Sequence, residues 1–282
     1  LCAGDRYDQI FFLTAKTAGK EIVRKTIAAA MEKGLRLRTV FIEAKERVCL
    51  SPGSRCHPTV CPYAARYYEK AREVLPTLLA EELILPEAVA EVARAAEACP
   101  FELTLDLTLH ADLIVCDYNY VFDPRVYLKR FFMTGAKGRF LFLVDEAHNL
   151  VSRGRDMYSA TLSRSDLAAL LNEIGTNGGM DQACDAVNQF FGGWRKEMEQ
   201  EERAGVLMRR LPEMLPPSLE RLLDRTQKNL PGVPMGPMLD RLLELYFKIS
   251  DFNRIVSMIN EHYALYVKKE DGDDVLHLQC LN

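Results

Sequence analysis

Five consecutive apolar residues followed by two acids, Phe140-Leu141-Phe142-Leu143-Val144-Asp145-Glu146, constrain this chain more than any other stretch. A continuous apolar run of that length, with no polar alternation, reads as a buried strand of a parallel sheet. Ligands of open parallel sheets bind outside the carboxyl ends of the strands, which is where Asp145 and Glu146 fall. An acid in that position can hold the water shell of a nucleotide-bound Mg²⁺. Its neighbour can orient the water that attacks a γ-phosphate. Asp145 and Glu146 are the candidates for those two roles. The plainer alternative is a pair of acids that cap the turn after a buried strand.

Other stretches supply the rest of a parallel sheet. Gln9-Ile10-Phe11-Phe12-Leu13-Thr14 reads as a strand, residues 19–33 as an amphipathic helix with Ile22, Val23, Ile27 and Ala30 on one face, and residues 37–44 as a second strand. This is a βαβ unit, which predicts a right-handed crossover. Asp112-Leu113-Ile114-Val115-Cys116 is a third core strand, Asp117 to Phe122 its exit loop, and residues 124–132 a short helix opened by proline. A phosphate loop has to be looked for at Ala18-Gly19-Lys20. The pattern Gly-x-x-x-x-Gly-Lys-Ser/Thr fails there, because Thr14 stands at the first glycine and Glu21 at the hydroxyl position, and no other match occurs in the chain.

Between residues 46 and 100 the composition changes. Cys49, Cys56 and Cys61 fall within thirteen residues among Ser51-Pro52-Gly53 and His57-Pro58, and Cys99 follows two helical stretches, residues 64–79 and 86–98. The spacing is Cys-x6-Cys-x4-Cys-x37-Cys. Such a loop has little apolar material to fold on, so four thiolates binding zinc or an iron-sulfur cluster are the readings that give it a core. Cys116 and Cys280 lie in apolar strands, and Cys2 and Cys184 have no cysteine neighbour in sequence, so these four read as ordinary thiols.

From about Arg153 strand signals vanish. Ser163 reads as the cap of a helix over residues 166–174, residues 181–205 as a helix around Phe190, Phe191 and Trp194, and residues 217–228 as another. Leu239, Leu242, Leu243, Tyr246, Ile249, Phe252, Val256, Ile259 and Tyr263 recur at spacings of three and four, the stripe of one long helix. Residues 263–267 and 275–280 flank Glu270-Asp271-Gly272-Asp273-Asp274, which favours a β-hairpin over a continued helix.

The totals bound the class. The chain has 282 residues, 48% hydrophobic and 27% charged, which describes a globular protein of about two domains. A net charge of −4 leaves nucleic acid open, because a local basic stripe matters more than the sum. No apolar run approaches the roughly 18 residues of a membrane helix. The expectation is a soluble, cytoplasmic, monomeric protein. A chain that begins at Leu1 with a strand close behind reads as a piece of a longer one.

These residues carry a family likeness. Thr14-Ala15-Lys16-Thr17 after a first strand, the four inserted cysteines, Cys99-Pro100-Phe101-Glu102, Asp117-Tyr118-Asn119-Tyr120 and Val144-Asp145-Glu146-Ala147-His148-Asn149-Leu150 occur in an order that resembles the XPD/DinG-type iron-sulfur helicases of superfamily 2. The resemblance implies an α/β fold, with an incomplete RecA-like parallel sheet, an inserted cysteine-rich helical Fe-S domain and an all-α arch. Residues 1–45 and 101–152 would belong to the first motor domain, 46–100 to the iron-sulfur domain and 153–262 to the arch, with 263–282 a hairpin returning to the motor. It implies ATP-driven 5′-to-3′ unwinding of single-stranded or forked DNA. Asp145 and Glu146 would act on Mg-ATP, His148 in communication between nucleotide and DNA, and Cys49, Cys56, Cys61 and Cys99 as ligands of a 4Fe-4S cluster. Thr14, Lys16 and Thr17 would meet the DNA backbone, and Arg55, Arg66, Tyr118 and Asn119 would lie near the strand. The family's glycine-lysine phosphate loop would precede residue 9 and its second motor domain would follow residue 282, so these residues alone are expected neither to bind ATP tightly nor to unwind DNA. Two other readings stay in view: a non-catalytic DNA-binding or redox module, and a zinc-stabilised interaction domain.

Overall fold

Strand β1 (Gln9–Leu13) is hydrogen-bonded on both sides, to β4 (Leu113–Cys116) and to β5 (Phe140–Val144). With β2 (Thr39–Phe41) and β3 (Leu83–Ile84) these form a five-stranded sheet in the order β3-β2-β4-β1-β5, every pair parallel. The computed structural model describes residues 6–133, 138–174, 189–194, 196 and 205–282, which divide into two units, Leu1–Leu150 and Val151–Asn282.

Alternation along β1 sends its side chains to two faces. Ile10 and Phe12 join Phe41, Leu113 and Val115 against Val23 and Ile27 of helix α1 (Thr17–Glu32). Phe11, fully buried, faces the other way into an aromatic cluster, with the rings of Phe131, Phe132, Phe140 and Phe142 centred 5.3 to 5.6 Å from its own. The expected α/β parallel sheet is present, with two differences. Phe142 and Leu143 of β5 are 38% and 40% exposed, because among the described residues β5 is an edge strand that pairs with β1 alone. Also, Pro100 opens a helix, Pro100–Thr108, that buries Leu103 and Leu107 in a stretch read only as a motif.

The second unit contains strands where an all-helical insertion was expected. Strand β6 (Ala160–Ser163) and β7 (Gly205–Met208) flank a hairpin of β8 (Tyr263–Glu270) and β9 (Asp273–Cys280) in an antiparallel sheet, order β6-β9-β8-β7. The hairpin therefore forms, but it pairs with β6 and β7 instead of returning to the parallel sheet. Its turn is Asp271-Gly272, both at positive φ (49° and 85°), the backbone that lets two residues reverse a twisted antiparallel pair. The four-residue strands β6 and β7 carry too few alternations to register as a pattern.

Three helices, Arg164–Ile174, Leu215–Asn229 and Pro237–Val256, cover this sheet. Ser163 caps the first as expected, its Oγ accepting the Asp166 N–H at 3.0 Å. The helix Pro237–Val256 buries Leu239, Leu242, Ile249 and Phe252 of the expected stripe and stops short of Tyr263, where Asn260 Oδ1 instead accepts the His262 N–H at 2.9 Å and starts β8. Of the helix expected over residues 181–205, residues 181–188, 195 and 197–204 lie outside the described residues, as do Cys2 and Cys184. Phe190 and Phe191 are buried core and Trp194 packs against them.

Phe11→Ala should lower the stability of the first unit by about 3–5 kcal/mol, the usual cost of emptying a fully buried phenylalanine site. A urea titration read on that unit should show its midpoint falling; an unchanged midpoint would mean that the aromatic cluster does not hold the sheet.

Candidate functional site

The carboxyl ends of β1, β4 and β5 bring together residues far apart in sequence. Pairing continues past the strands: Thr14 N donates to Cys116 O and Asp145 N to Leu13 O, both at 2.9 Å. Asp145 is gripped twice more, since Thr14 Oγ1 donates to its Oδ2 at 2.9 Å and the buried Tyr118 hydroxyl donates to its carbonyl oxygen. Gly19 leaves the room for this. A Cβ at that position would sit 2.3 Å from Thr14 Oγ1 and 2.9 Å from Asp145 Oδ2.

Glu146 is held differently. Its backbone is in the left-handed region (φ 50°), its Oε1 accepts from Lys16 Nζ at 2.7 Å, and its Oε2 lies 3.4 Å from His148 Nδ1. The Lys16 ammonium holds the Glu146 carboxyl below its usual range, and the carboxylate in turn raises the Lys16 ammonium. Lys20, the lysine of the rejected phosphate loop, donates instead to Ile42 O and Glu43 Oε1, both at 2.8 Å, tying α1 to the end of β2.

A cleft of about 620 Å³ opens beside the ends of β1, β2 and β4, with Thr17, Lys20, Asn119, Tyr120, Lys45 and Lys129 among its walls. Its walls carry cationic side chains and aromatic rings together with the acids Glu43, Glu46 and Asp117.

The cysteine segment lies on the same unit. Cys49 follows the one-turn helix Lys45–Val48, and Cys99 stands just before the helix Pro100–Thr108. All four thiols of the set are free; Cys61 is buried and Cys56 exposed. Lys70 Nζ donates to Pro62 O at 3.0 Å and to Glu97 O at 2.7 Å, so one ammonium joins the chain just after Cys61 to the chain just before Cys99. Burial pushes the Cys99 thiol up, and the backbone N–H groups of Glu102 and Phe101 at the start of the next helix oppose that. Cys56 bonds the Lys45 ammonium, raising it. Among the described residues no group of three or more His, Cys, Asp or Glu side chains gathers around a single metal-ion position. A 4Fe-4S cluster binds its four thiolates at separate irons, so its ligands are spread by the cluster and not drawn to one point.

Of the expected nucleic-acid residues, Lys16 and Thr17 are exposed at the start of α1 and Asn119 is half-buried in the cleft wall. Thr14 and Tyr118 are only 1% exposed and face Asp145, so the structure places both in the carboxylate network and not on the surface. Arg55 is half-buried, and Arg66 is exposed and paired with Glu69. Two further arrangements, like the Lys70 bridge, had no sequence signal. One is the Lys16–Glu146 pair; the other links Tyr67, whose hydroxyl donates to Asp106 at 2.6 Å, with Arg130, which pairs with Asp106 and Glu102.

The segment that follows β1 thus sets a hydroxyl and an ammonium against the two acids of Asp-Glu-Ala-His at the end of β5. A family model described as DEAD_2 matches residues 23–167, just over half the chain, and the chain belongs to that family. The Regulator of telomere elongation helicase 1 homolog of Anopheles gambiae is 22% identical over 176 residues, 58% of this chain and 17% of that protein. The Fanconi anemia group J protein homolog of Gallus gallus is 31% identical over 88 residues, 31% of this chain and 7% of that protein. The chain thus spans less than a fifth of either relative. Among solved structures, one titled XPD_Helicase superposes with a TM-score of 0.53 at 15% identity, covering 97% of this chain and 46% of that one. Another, Truncated XPD, gives 0.52 at 15% identity over 95% of this chain and 74% of that one. These two likenesses concern the fold.

Gly19→Ala should force Thr14 off Asp145 and destabilise the first unit by about 1–3 kcal/mol, the range for overpacking a filled site. Chemical denaturation checks this, and a variant as stable as the parent would show that the close approach of Gly19 is not required.

Proposed function

We propose that this chain is part of the first motor domain of an ATP-driven, 5′-to-3′ DNA helicase, with its iron-sulfur and arch segments, acting on single-stranded or forked DNA. The observation that carries the reading is the tie between the two acids and the exit of β1: Thr14 to Asp145 at 2.9 Å and Lys16 to Glu146 at 2.7 Å. A motor needs its nucleotide site and its DNA grip on one rigid element, and here neighbouring residues of one segment serve both.

Bound Mg-ATP supplies the γ-phosphoryl group and a metal that neutralises its developing charge. Asp145, fixed by Thr14 and by the bond from Tyr118, offers a carboxylate to the metal's water shell. Glu146 orients the attacking water through its carboxylate. His148, 3.4 Å from that carboxylate, would take part in communication between nucleotide and DNA. No phosphate loop is present in these residues, so the 282-residue chain by itself should show no DNA-stimulated ATP turnover.

Cys49, Cys56, Cys61 and Cys99 would hold the 4Fe-4S cluster. Three free thiols on a turn-rich segment and Cys99 just before a helix, with Lys70 already joining the flanks of two of the four, fit a four-thiolate group. Its contribution is to brace a segment that buries little apolar surface. Lys16, Thr17 and Asn119 would face the DNA, and Arg55 and Arg66 would extend the contact along the cysteine segment.

In the full-length protein Glu146→Gln should abolish ATP turnover and leave DNA affinity near that of the parent; retained turnover would remove its role. Cys99→Ser should bleach the broad blue-violet absorbance of an iron-sulfur protein and uncouple unwinding. A colourless parent protein that releases zinc would replace the cluster with a zinc site.

A further inference from the structure

Asp145 and Glu146 are neighbours, but their partners differ in kind. The Thr14 hydroxyl that holds Asp145 is 1% exposed, shielded from solvent and from competing ions. The Lys16 ammonium that holds Glu146 belongs to a side chain 61% exposed, and the Glu146 side chain is 36% exposed. Ion pairs so open to water are weak and are readily screened or exchanged. One acid is therefore locked in place while the other is held by a contact that a passing anion can take away.

While Lys16 Nζ sits 2.7 Å from Glu146 Oε1, that oxygen is occupied as an acceptor, so it is poorly placed to orient a water. Lys16 is also at the start of α1, beside the exposed Thr17, on the segment read above as the DNA grip. The same ammonium can serve the carboxylate or a backbone phosphate, but it cannot hold both at full strength. Meanwhile the left-handed backbone at Glu146 is a conformation that non-glycine residues adopt at a cost. The Lys16 pair is one of the contacts that opposes a change at this turn.

We infer that Lys16 is a positioning residue that latches Glu146 in the absence of nucleic acid, and that a DNA phosphate releases Glu146 by taking the Lys16 ammonium. The inference rests on the helicase reading and deepens it, because it names the contact through which nucleic acid switches hydrolysis on. No bond is made or broken in the switch; one ion pair is exchanged for another. Asp145 stays fixed throughout, so metal positioning is unaffected and only the water-orienting step is gated.

The test is steady-state ATP hydrolysis by the full-length protein, with and without saturating oligo-deoxythymidine. Lys16→Gln should raise the DNA-free rate roughly three- to fivefold, the scale of an exposed ion pair, and shrink the stimulation by DNA in proportion. Lys16→Arg, which restores the cation, should return the DNA-free rate to the parental value. Rising salt should accelerate the DNA-free parent and leave Lys16→Gln unmoved, a difference that a merely structural lysine would not produce. Lys248→Gln, a surface change in the second unit, should behave as the parent. A DNA-stimulated parent whose Lys16→Gln variant has an unchanged or lower DNA-free rate overturns the latch and leaves the helicase reading standing. A parent that hydrolyses ATP at the same rate with and without DNA overturns both.

Discussion

The first unit depends on β1 being bonded on both flanks. A strand in that position has no free edge, so its register against β4 and β5 is fixed by hydrogen bonds from both neighbours. That double constraint delivers Leu13 O to the Asp145 N–H and Thr14 N to Cys116 O, and with them the side chains of Thr14 and Asp145. A slip of one residue would turn Phe11 out of its aromatic cluster and Ile10 out of the opposite core. The hydrophobic pattern and the site geometry are thus one constraint.

Much of this was legible from residues alone, for a physical reason. Strands β1 and β4 are apolar runs that the sheet buries, whereas β5 is an equally apolar run with no fully buried residue, and on α1 Val23 and Ile27 face the core while Ile22, expected beside them, is 66% exposed. The helix Pro100–Thr108 is hidden in the sequence because Cys99, Pro100 and Glu102 stand out as a motif before they stand out as a helix start. Strands β3, β6 and β7 have two to four residues each and owe their form to the strands they join. The hairpin's turn was legible as Asp-Gly; its partners were not, since nothing in a strand names the edge that it will meet.

Within the site the acids were legible and their partners less so. Thr14 followed by Lys16 and Thr17 reads as a row of phosphate donors, yet a hydroxyl at a strand end can serve a neighbouring strand as well as a ligand. Burial at that position decides for the neighbour. Lys16 and Glu146 are separated by 130 positions, and only the fold relates them. The cysteine spacing announced a common purpose, whereas only the fold brings Lys70 to the flanks of two of them.

The pairing pattern also sets how far the chain must travel to assemble. In the second unit β8 meets β9 across the two residues Asp271 and Gly272, so the ends of that ladder are close as soon as the turn forms. In the first unit Ile10 must find Leu113 and Gln9 must find Phe140 before β1 has any partner. Closing such long loops costs chain entropy ahead of any reward, and sheets built from distant strands form slowly. The antiparallel sheet has a local nucleus in its hairpin, whereas the pairs that position Asp145 and Glu146 join residues more than a hundred positions apart.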